Sequence, residues 1–262
     1  MIAISDNIQL RKDAPSGSII INRPNRRNAL SREITDSIRL ALEDFHQESN
    51  VRAIILTGAG NSFCSGTDLH EVRDSTREKN AMEIWHQDAT RFQELIEYML
   101  RYPKPIIAAV NGWALGTGVA LMLAADIVIA AESAQLKMPE ATLGLNAGLT
   151  APLMAFRIGT GTTSDLLISG KTVTATSGQD MGLFHEVVGD DLVWARAQQL
   201  AVQCAEGAAH SHLLTKQMLN ETVGESLFTQ LSIGAANTAS ARTTELAGEG
   251  VEAFLEKRKP NW

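Results

Sequence analysis

Between Ile106 and Gly148 the chain carries the residues whose types and spacing can do chemistry. An apolar, β-branched run, Ile106-Ile107-Ala108-Ala109-Val110, is closed by Asn111-Gly112, the pattern of a buried strand that ends in a turn. Gly112, Gly116 and Gly118 follow in the order Gly-x-x-x-Gly-x-Gly, and Val119 to Ala125 then favour a helix that stops at Asp126. Such a helix begins with N–H groups that have no partner inside it, and they point toward something electron-rich. Glycines let a ligand come close to that backbone. A dinucleotide pyrophosphate asks for Gly-x-Gly-x-x-Gly, and here Leu121 stands at the third position. A nucleotide loop asks for Gly-Lys-Ser or Gly-Lys-Thr, which is absent. A carbonyl oxygen that turns negative during reaction fits. So does an architectural reading, in which small residues let a helix pack tightly on a sheet, and the glycines alone leave both open.

The elements that must position this stretch alternate between strand and helix. Ser18 to Asn22 reads as a strand, Arg23 to Asn28 as a turn, and a helix follows with Ser31 as N-cap and Ile34, Ile38, Leu42 and Phe45 on one face. Val51 to Thr57 reads as a second strand, and Gly58 to Asp68 as a glycine- and serine-rich loop of the kind that carries function. Glu71 to Lys79 is crowded with charge and reads as a solvated segment or mobile lid. The next helix puts Trp85, Ala89, Phe92, Ile96 and Met99 on one core-facing stripe and ends before Pro103 and Pro105. A further strand is expected at Ile127 to Ala130. Alternation of this kind implies parallel pairing and an α/β fold, either doubly wound or more spiral. Beyond residue 190 the pattern turns helical, over 192–205, 212–220, 227–247 and 251–259. We therefore divide the chain into a core, residues 1–190, and a helical region, residues 191–262, packed on the core or on another subunit.

Composition narrows the function. With 44% hydrophobic and 20% charged residues the 262-residue chain is ordinary for a soluble domain that buries a sizeable core. Pro105 to Ala125 is uncharged, but its glycines leave a helix of only about 15 Å, too short to span a bilayer, so no membrane partner is expected. The amino terminus has no signal-like apolar run, which makes cytoplasm the expectation. Cys64 and Cys204 stand far apart without metal-ligand spacing, so neither a disulfide framework nor a metal site is expected. A net charge of −7 argues against nucleic acid as partner.

Five segments, in order, carry a family resemblance. They are Asn22-Arg23-Pro24 with Asn28-Ala29-Leu30-Ser31; Leu56-Thr57-Gly58 with Phe63 to Leu69; Lys104 to Gly112; Pro139-Glu140 with Leu143-Gly144-Leu145; and the tail Phe254 to Pro260. From residue 18 to the end the chain resembles the crotonase (enoyl-CoA hydratase/isomerase) superfamily. The resemblance implies a crotonase-like spiral of strand-strand-helix repeats with a C-terminal helical trimerisation region. It implies an acyl-CoA thioester as substrate, with coenzyme A entering as part of the substrate and no separate cofactor, and a homotrimer or dimer of trimers. The family's two oxyanion N–H groups fall on Thr67 and Thr117, and its acid/base glutamate on Glu140. Asp68, Leu69, Trp113 and Gly116 fall on the substrate-binding loops. Arg26 and Arg27 in the first turn and Lys257 in the tail are the counter-charges expected for coenzyme A, while His70 stands where relatives often have lysine.

Two departures bear on the reaction. Thr117 replaces the usual glycine, which keeps the N–H but brings a β-branched side chain toward the thioester. Ala120 replaces the first of the two glutamates used by hydratases, and Gly148 removes a carboxylate that other members place later. A single glutamate suffices to move one proton between C2 and C4, so the expectation is double-bond isomerisation. Hydratase-lyases share the single glutamate and the Asn111-Gly112-Trp113 triplet, with Asp68, His86, Asp88 or Asn146 as water-holding candidates. A binder of acyl-CoA or RNA without turnover is the alternative of another class.

Overall fold

The computed structural model describes residues 4–262. An antiparallel hairpin opens it, β1 (Ile8–Asp13) and β2 (Ser16–Ile21), the first of which has too mixed a pattern to be read as a strand from sequence. Helix α1 (Arg32–Gln47) follows, its end held by the Ser31 hydroxyl, which accepts a hydrogen bond from Ile34 N at 3.2 Å. Its apolar face, Ile34, Ile38, Leu42 and Phe45, is fully buried, as the helical spacing predicts.

Next come three turns of one repeat. In the first, β3 (Ala53–Gly58) and β4 (Ser62–Cys64) precede α2 (Leu69–Ser75) and α3 (Ala81–Arg101). The second holds β5 (Ile106–Val110), β6 (Trp113–Leu115) and α4 (Thr117–Leu123). The third holds β7 (Ile127–Ala131), β8 (Gln135–Lys137), a short 3-10 turn (Glu140–Leu143) and α5 (Thr150–Ser169). The first strand of each turn joins one sheet and the second strand joins another. After β9 (Val173–Thr174), α6 (Ala175–Met181) and β10 (Glu186–Val188), the sheets are complete in the orders β1-β2-β3-β5-β7-β10 and β4-β6-β8-β9. Pairing is parallel from β2 to β10 in the large sheet and from β4 to β8 in the small one. This is the expected spiral of strand-strand-helix repeats. The second strands went unread because three residues are too few to show a period of two.

Helices α7 (Val193–Glu206), α8 (Ala209–Gln217), α9 (Glu225–Ala241) and α10 (Glu245–Leu255) complete the chain, with a π-helical stretch (Met218–Val223) after α8. They lie on the body: α7 on β2, β3, β5 and β7, α9 along α3 and α5, and α10 on α2. Two details differ from the sequence reading. Of the segment Glu71 to Lys79, read as solvated or a mobile lid, the part up to Ser75 belongs to helix α2, because Asp68 caps its start and buried Ser75 accepts from Trp85 Nε1 at 2.9 Å, while residues 76–79 form an exposed turn. The last two helices divide at Thr244, whose hydroxyl accepts from Ala247 N at 3.2 Å, and Gly248 and Gly250 sit inside α10. Gly250 marks a close approach, since a Cβ there would stand 2.3 Å from Leu143 O. Among the described residues no helix is long and apolar enough to cross a membrane.

Candidate active site

A cavity of about 530 Å³ opens where the second strands of the repeats end. Its walls are the turn at Arg26 and Arg27, the loop from Ser65 to Leu69, the β6–α4 junction at Leu115 to Thr117, and the 3-10 turn that begins with Glu140. Thr238 in the last turn of α9 and Arg242 at its C-cap, with Phe254 and Leu255 on α10, close it.

Asn28 fixes the first wall. It takes a left-handed backbone (φ 57°), which asparagine tolerates, and its amide donates to Ala59 O at 2.9 Å and Ser62 O at 2.7 Å. Its Oδ1 accepts from Arg23 N at 2.9 Å. The turn thus held sets Arg26 and Arg27 on the cavity wall, with Arg26 Nη1 2.5 Å from His70 Nε2.

The second and third walls meet at two threonines. Leu30 N donates to Gly66 O at 2.8 Å and Asp68 N donates to Leu30 O at 2.9 Å, so Thr67 is gripped on both sides while its own N–H has no backbone acceptor. Thr117 is the first residue of α4, and its N–H has none either. Their hydroxyls are 3.0 Å apart, and a Cβ on Gly66 would lie 3.2 Å from Thr117 N. Two free donors therefore share one stretch of wall, where they suit a carbonyl oxygen.

The three glycines divide between the two readings left open by sequence. A Cβ on Gly112 would meet Asn61 O at 2.1 Å, and one on Gly118 would meet Cys64 O at 2.3 Å. Those two glycines serve packing against the chain around β4. Gly116 alone lines the cavity; its φ is +52°, and a Cβ there would stand 3.0 Å from Glu140 Oε1.

Glu140 is 9% exposed, and among the described residues its Oε2 has no hydrogen-bond partner and no cationic side chain pairs with it. Loss of water pushes its carboxyl up to about 7, opposed only by a hydrogen bond from its own backbone N–H. A carboxyl in that state can take or return a proton near neutral pH.

Other residues expected at the site fare unevenly. Asp68 lines the cavity but is spoken for: Arg23 Nη1 donates to it at 2.5 Å, and it caps α2 by accepting from His70 N at 2.9 Å. Leu69 lines the cavity as well. Trp113 does not, because β6 holds it between β4 and β8. Lys257 lies past the end of α10, outside the lining. Of the other water-holding candidates, His86 is exposed on α3 and Asp88 faces Arg32 outside the cavity. Asn146 lines it, with Oδ1 accepting from Gly148 N at 2.8 Å. Ala120 is wholly buried in α4. Among the described residues no three His, Cys, Asp or Glu side chains converge as metal ligands would. Thr238 and Arg242 were missed by sequence reasoning, since nothing local signals that the end of α9 returns to this cavity.

Comparison with known proteins gives a consistent picture. The model of the enoyl-CoA hydratase/isomerase family matches residues 14–262. A 1,2-epoxyphenylacetyl-CoA isomerase of Escherichia coli is 32% identical over 246 residues, covering 94% of each chain. A short-chain-enoyl-CoA hydratase of Clostridium acetobutylicum is 31% identical over 257 residues, covering 97% of this chain and 96% of its own. The crystal structure of an enoyl-CoA hydratase/isomerase from Pseudoalteromonas atlantica superposes with a TM-score of 0.84 at 28% identity, covering 98% of this chain and all of that one.

Proposed function

The chain belongs to the enoyl-CoA hydratase/isomerase family, and on that premise we propose that it shifts the double bond of an enoyl-CoA with Glu140 as its single acid/base. In this reading the thioester carbonyl rests on the N–H groups of Thr67 and Thr117. Glu140 takes a proton from C2 of a 3-enoyl thioester, the electron pair moves into the carbonyl as a dienolate, and the same carboxyl returns the proton at C4 to leave the 2-enoyl thioester. Two fixed donors stabilise that negative oxygen by several kcal/mol, since losing one such donor costs about 2.7–4 kcal/mol elsewhere.

The relatives' names include both hydratase and isomerase, so the choice rests on one observation. Glu140 is the carboxyl on the cavity wall with no cationic partner and one unbonded oxygen. The other carboxyl there, Asp68, is neutralised by Arg23, and Ala120 is out of reach. Hydration needs a second group to hold water. The one feature that favours it is Asn146, whose amide nitrogen is left free on the wall while its oxygen is engaged.

Arg26 and Arg27 meet the coenzyme phosphates in this proposal. The region 191–262 carries a homotrimer or dimer of trimers, for which exposed Leu214, Met218, Val223, Ile233 and Phe254 supply apolar surface, and Lys257 serves a neighbouring copy. Sedimentation should then give a mass of three or six chains.

The deciding experiment offers 3-enoyl-CoA and 2-enoyl-CoA esters to wild type and to Glu140→Gln. Isomerisation by wild type, with deuterium from heavy water entering at C2 or C4, and its loss in the variant, supports the reading. Formation of 3-hydroxyacyl-CoA instead makes the protein a hydratase, and equal turnover by both proteins ends the case for Glu140.

A further inference from the structure

Behind the two threonines lies a second, smaller chamber of about 50 Å³. It shares Thr67, Thr117, Leu149, Thr238 and Arg242 with the main cavity, so the two spaces adjoin at the wall that carries the two threonines. Alongside apolar side chains such as Val72 and Phe92, this chamber is bordered by the guanidinium groups of Arg32, Arg91 and Arg242 and the carboxylates of Glu71 and Asp88.

Three guanidiniums, Arg32, Arg91 and Arg242, face three carboxylates, Asp88, Asp36 and Glu71, but the close contacts are unevenly shared. Asp88 accepts two hydrogen bonds from Arg32, at 2.6 Å and 2.9 Å, and a third from Arg91 at 3.3 Å. Arg91 has a second carboxylate, Asp36, at 3.1 Å, and Glu71 accepts from Arg32 N at 3.0 Å. Arg242 is left with the last and longest contact to Asp88, 3.4 Å from its Nη1. Its side chain is 7% exposed and its Nε has no partner. A guanidinium cannot shed its proton to escape such a place, so an unmet N–H there costs stability until an acceptor arrives.

We infer that Arg242 reads the far end of the acyl group, and that the preferred substrates carry an oxygen acceptor there, a carboxylate above all, in place of a plain methyl end. The inference rests on the acyl-CoA reading above and deepens it. A carboxylate suits the site best because Arg242 makes only the long contact to Asp88 and has an unpartnered Nε, and a charged acceptor makes a stronger hydrogen bond to a guanidinium than a neutral hydroxyl does. Were Arg242 only a clamp joining the end of α9 to α3, its removal would weaken every ligand alike.

Calorimetric binding of saturated thioesters tests this without turnover. Hexanoyl-CoA, omega-hydroxyhexanoyl-CoA and adipyl-CoA form one set of equal length; butyryl-CoA, omega-hydroxybutyryl-CoA and succinyl-CoA form a shorter one. In at least one set wild type should hold the carboxylate-ended ester about tenfold to a hundredfold more tightly than the methyl-ended one, with the hydroxyl between, as expected for a charge-assisted hydrogen bond. Arg242→Met should erase that preference while leaving the methyl-ended ester within about threefold of wild type. Arg242→Lys, which keeps the charge and loses the fork, should retain part of it. Should Arg242→Met fail to fold, the wild-type ranking and the lysine variant still decide. Methyl-ended esters binding as well as the others, or a uniform loss across the panel, overturns the inference while the acyl-CoA reading stands. If no thioester binds at all, that reading has failed first.

Discussion

At the Ile106 end of β5, Asp126 accepts from Ile106 N at 2.8 Å and from Lys216 Nζ at 2.8 Å, and Arg157 donates to Ala125 O at 2.7 Å. Beyond the Val110 end, past β6, Glu140 keeps an oxygen with no partner, and the N–H groups of Thr67 and Thr117 have no backbone acceptor. Both ends hold buried or half-buried polar groups, and both lie on the same framework. One end spends them on one another and fixes α8 to the sheet; the other leaves them free for something that is not protein. Unsatisfied buried groups are uncommon in folded chains, so their concentration on one cavity wall points to a ligand more strongly than the residue types do.

The sharpest break of that contrast is Glu140→Gln. It should lower kcat by about 10²- to 10⁴-fold, the range for losing a positioned acid/base, while the affinity for a saturated acyl-CoA stays within a few-fold. Thermal unfolding above pH 8 should occur at the same temperature or higher, because no buried charge is removed from a partner. Lys216→Met makes the opposite test at the other end. It strands Asp126 without its cation and should cost about 3–5 kcal/mol in denaturant unfolding, with turnover per folded molecule unchanged. Were the two outcomes exchanged, with Lys216 governing turnover and Glu140 governing stability, the division drawn here would be reversed.

A titration sharpens the same comparison. With its carboxyl at about 7 in the fold and an ordinary value of 4.5 when unfolded, Glu140 keeps its proton in the native state over a range where the open chain has lost it. The native state then binds more protons than the unfolded one, so stability falls as pH rises from the unfolded value to the folded value and is level outside that window. The difference between wild type and Glu140→Gln should therefore change by about 3 kcal/mol across the window and vanish as a slope elsewhere. Over the same window kcat/KM for isomerisation should climb, since the base form is the one that takes the first proton.

How much of this was legible in the sequence depends on the range of the interactions. The face of α1, the stripe on α3 and the strand at β5 followed from local periodicity, which burial obeys. The motif segments placed Thr67, Thr117 and Glu140, and the fold brings all three to one cavity. Trp113 was expected beside them from the family resemblance, yet strand pairing holds it outside the cavity lining. The glycine spacing left a ligand-facing and a packing role both open, and only three-dimensional contacts separate Gly116 from its two packing neighbours. Pairs such as Lys216 with Asp126, or Arg242 with Asp88, span 90 and 154 residues. No local pattern announces them, because each partner alone is an ordinary charged residue on a helix.

Gly116 stands on the cavity wall against Glu140, and replacing it gives the smallest and most specific of the expected effects. Its backbone (φ +52°, ψ −121°) is one that residues with a Cβ avoid, so Gly116→Ala should cost about 1–3 kcal/mol in unfolding experiments. The added methyl would stand 3.0 Å from Glu140 Oε1, tighter than ordinary contact, and the carboxyl must give way. If Glu140 acts as proposed, kcat should fall further than the stability loss explains while the affinity for a saturated thioester holds. Gly118→Ala supplies the comparison: its Cβ would strike Cys64 O at 2.3 Å, so it should destabilise more and touch the chemistry only through folding. A glycine that disturbs turnover beyond its effect on stability marks the wall that faces the ligand, and one that disturbs stability alone marks the scaffold behind it.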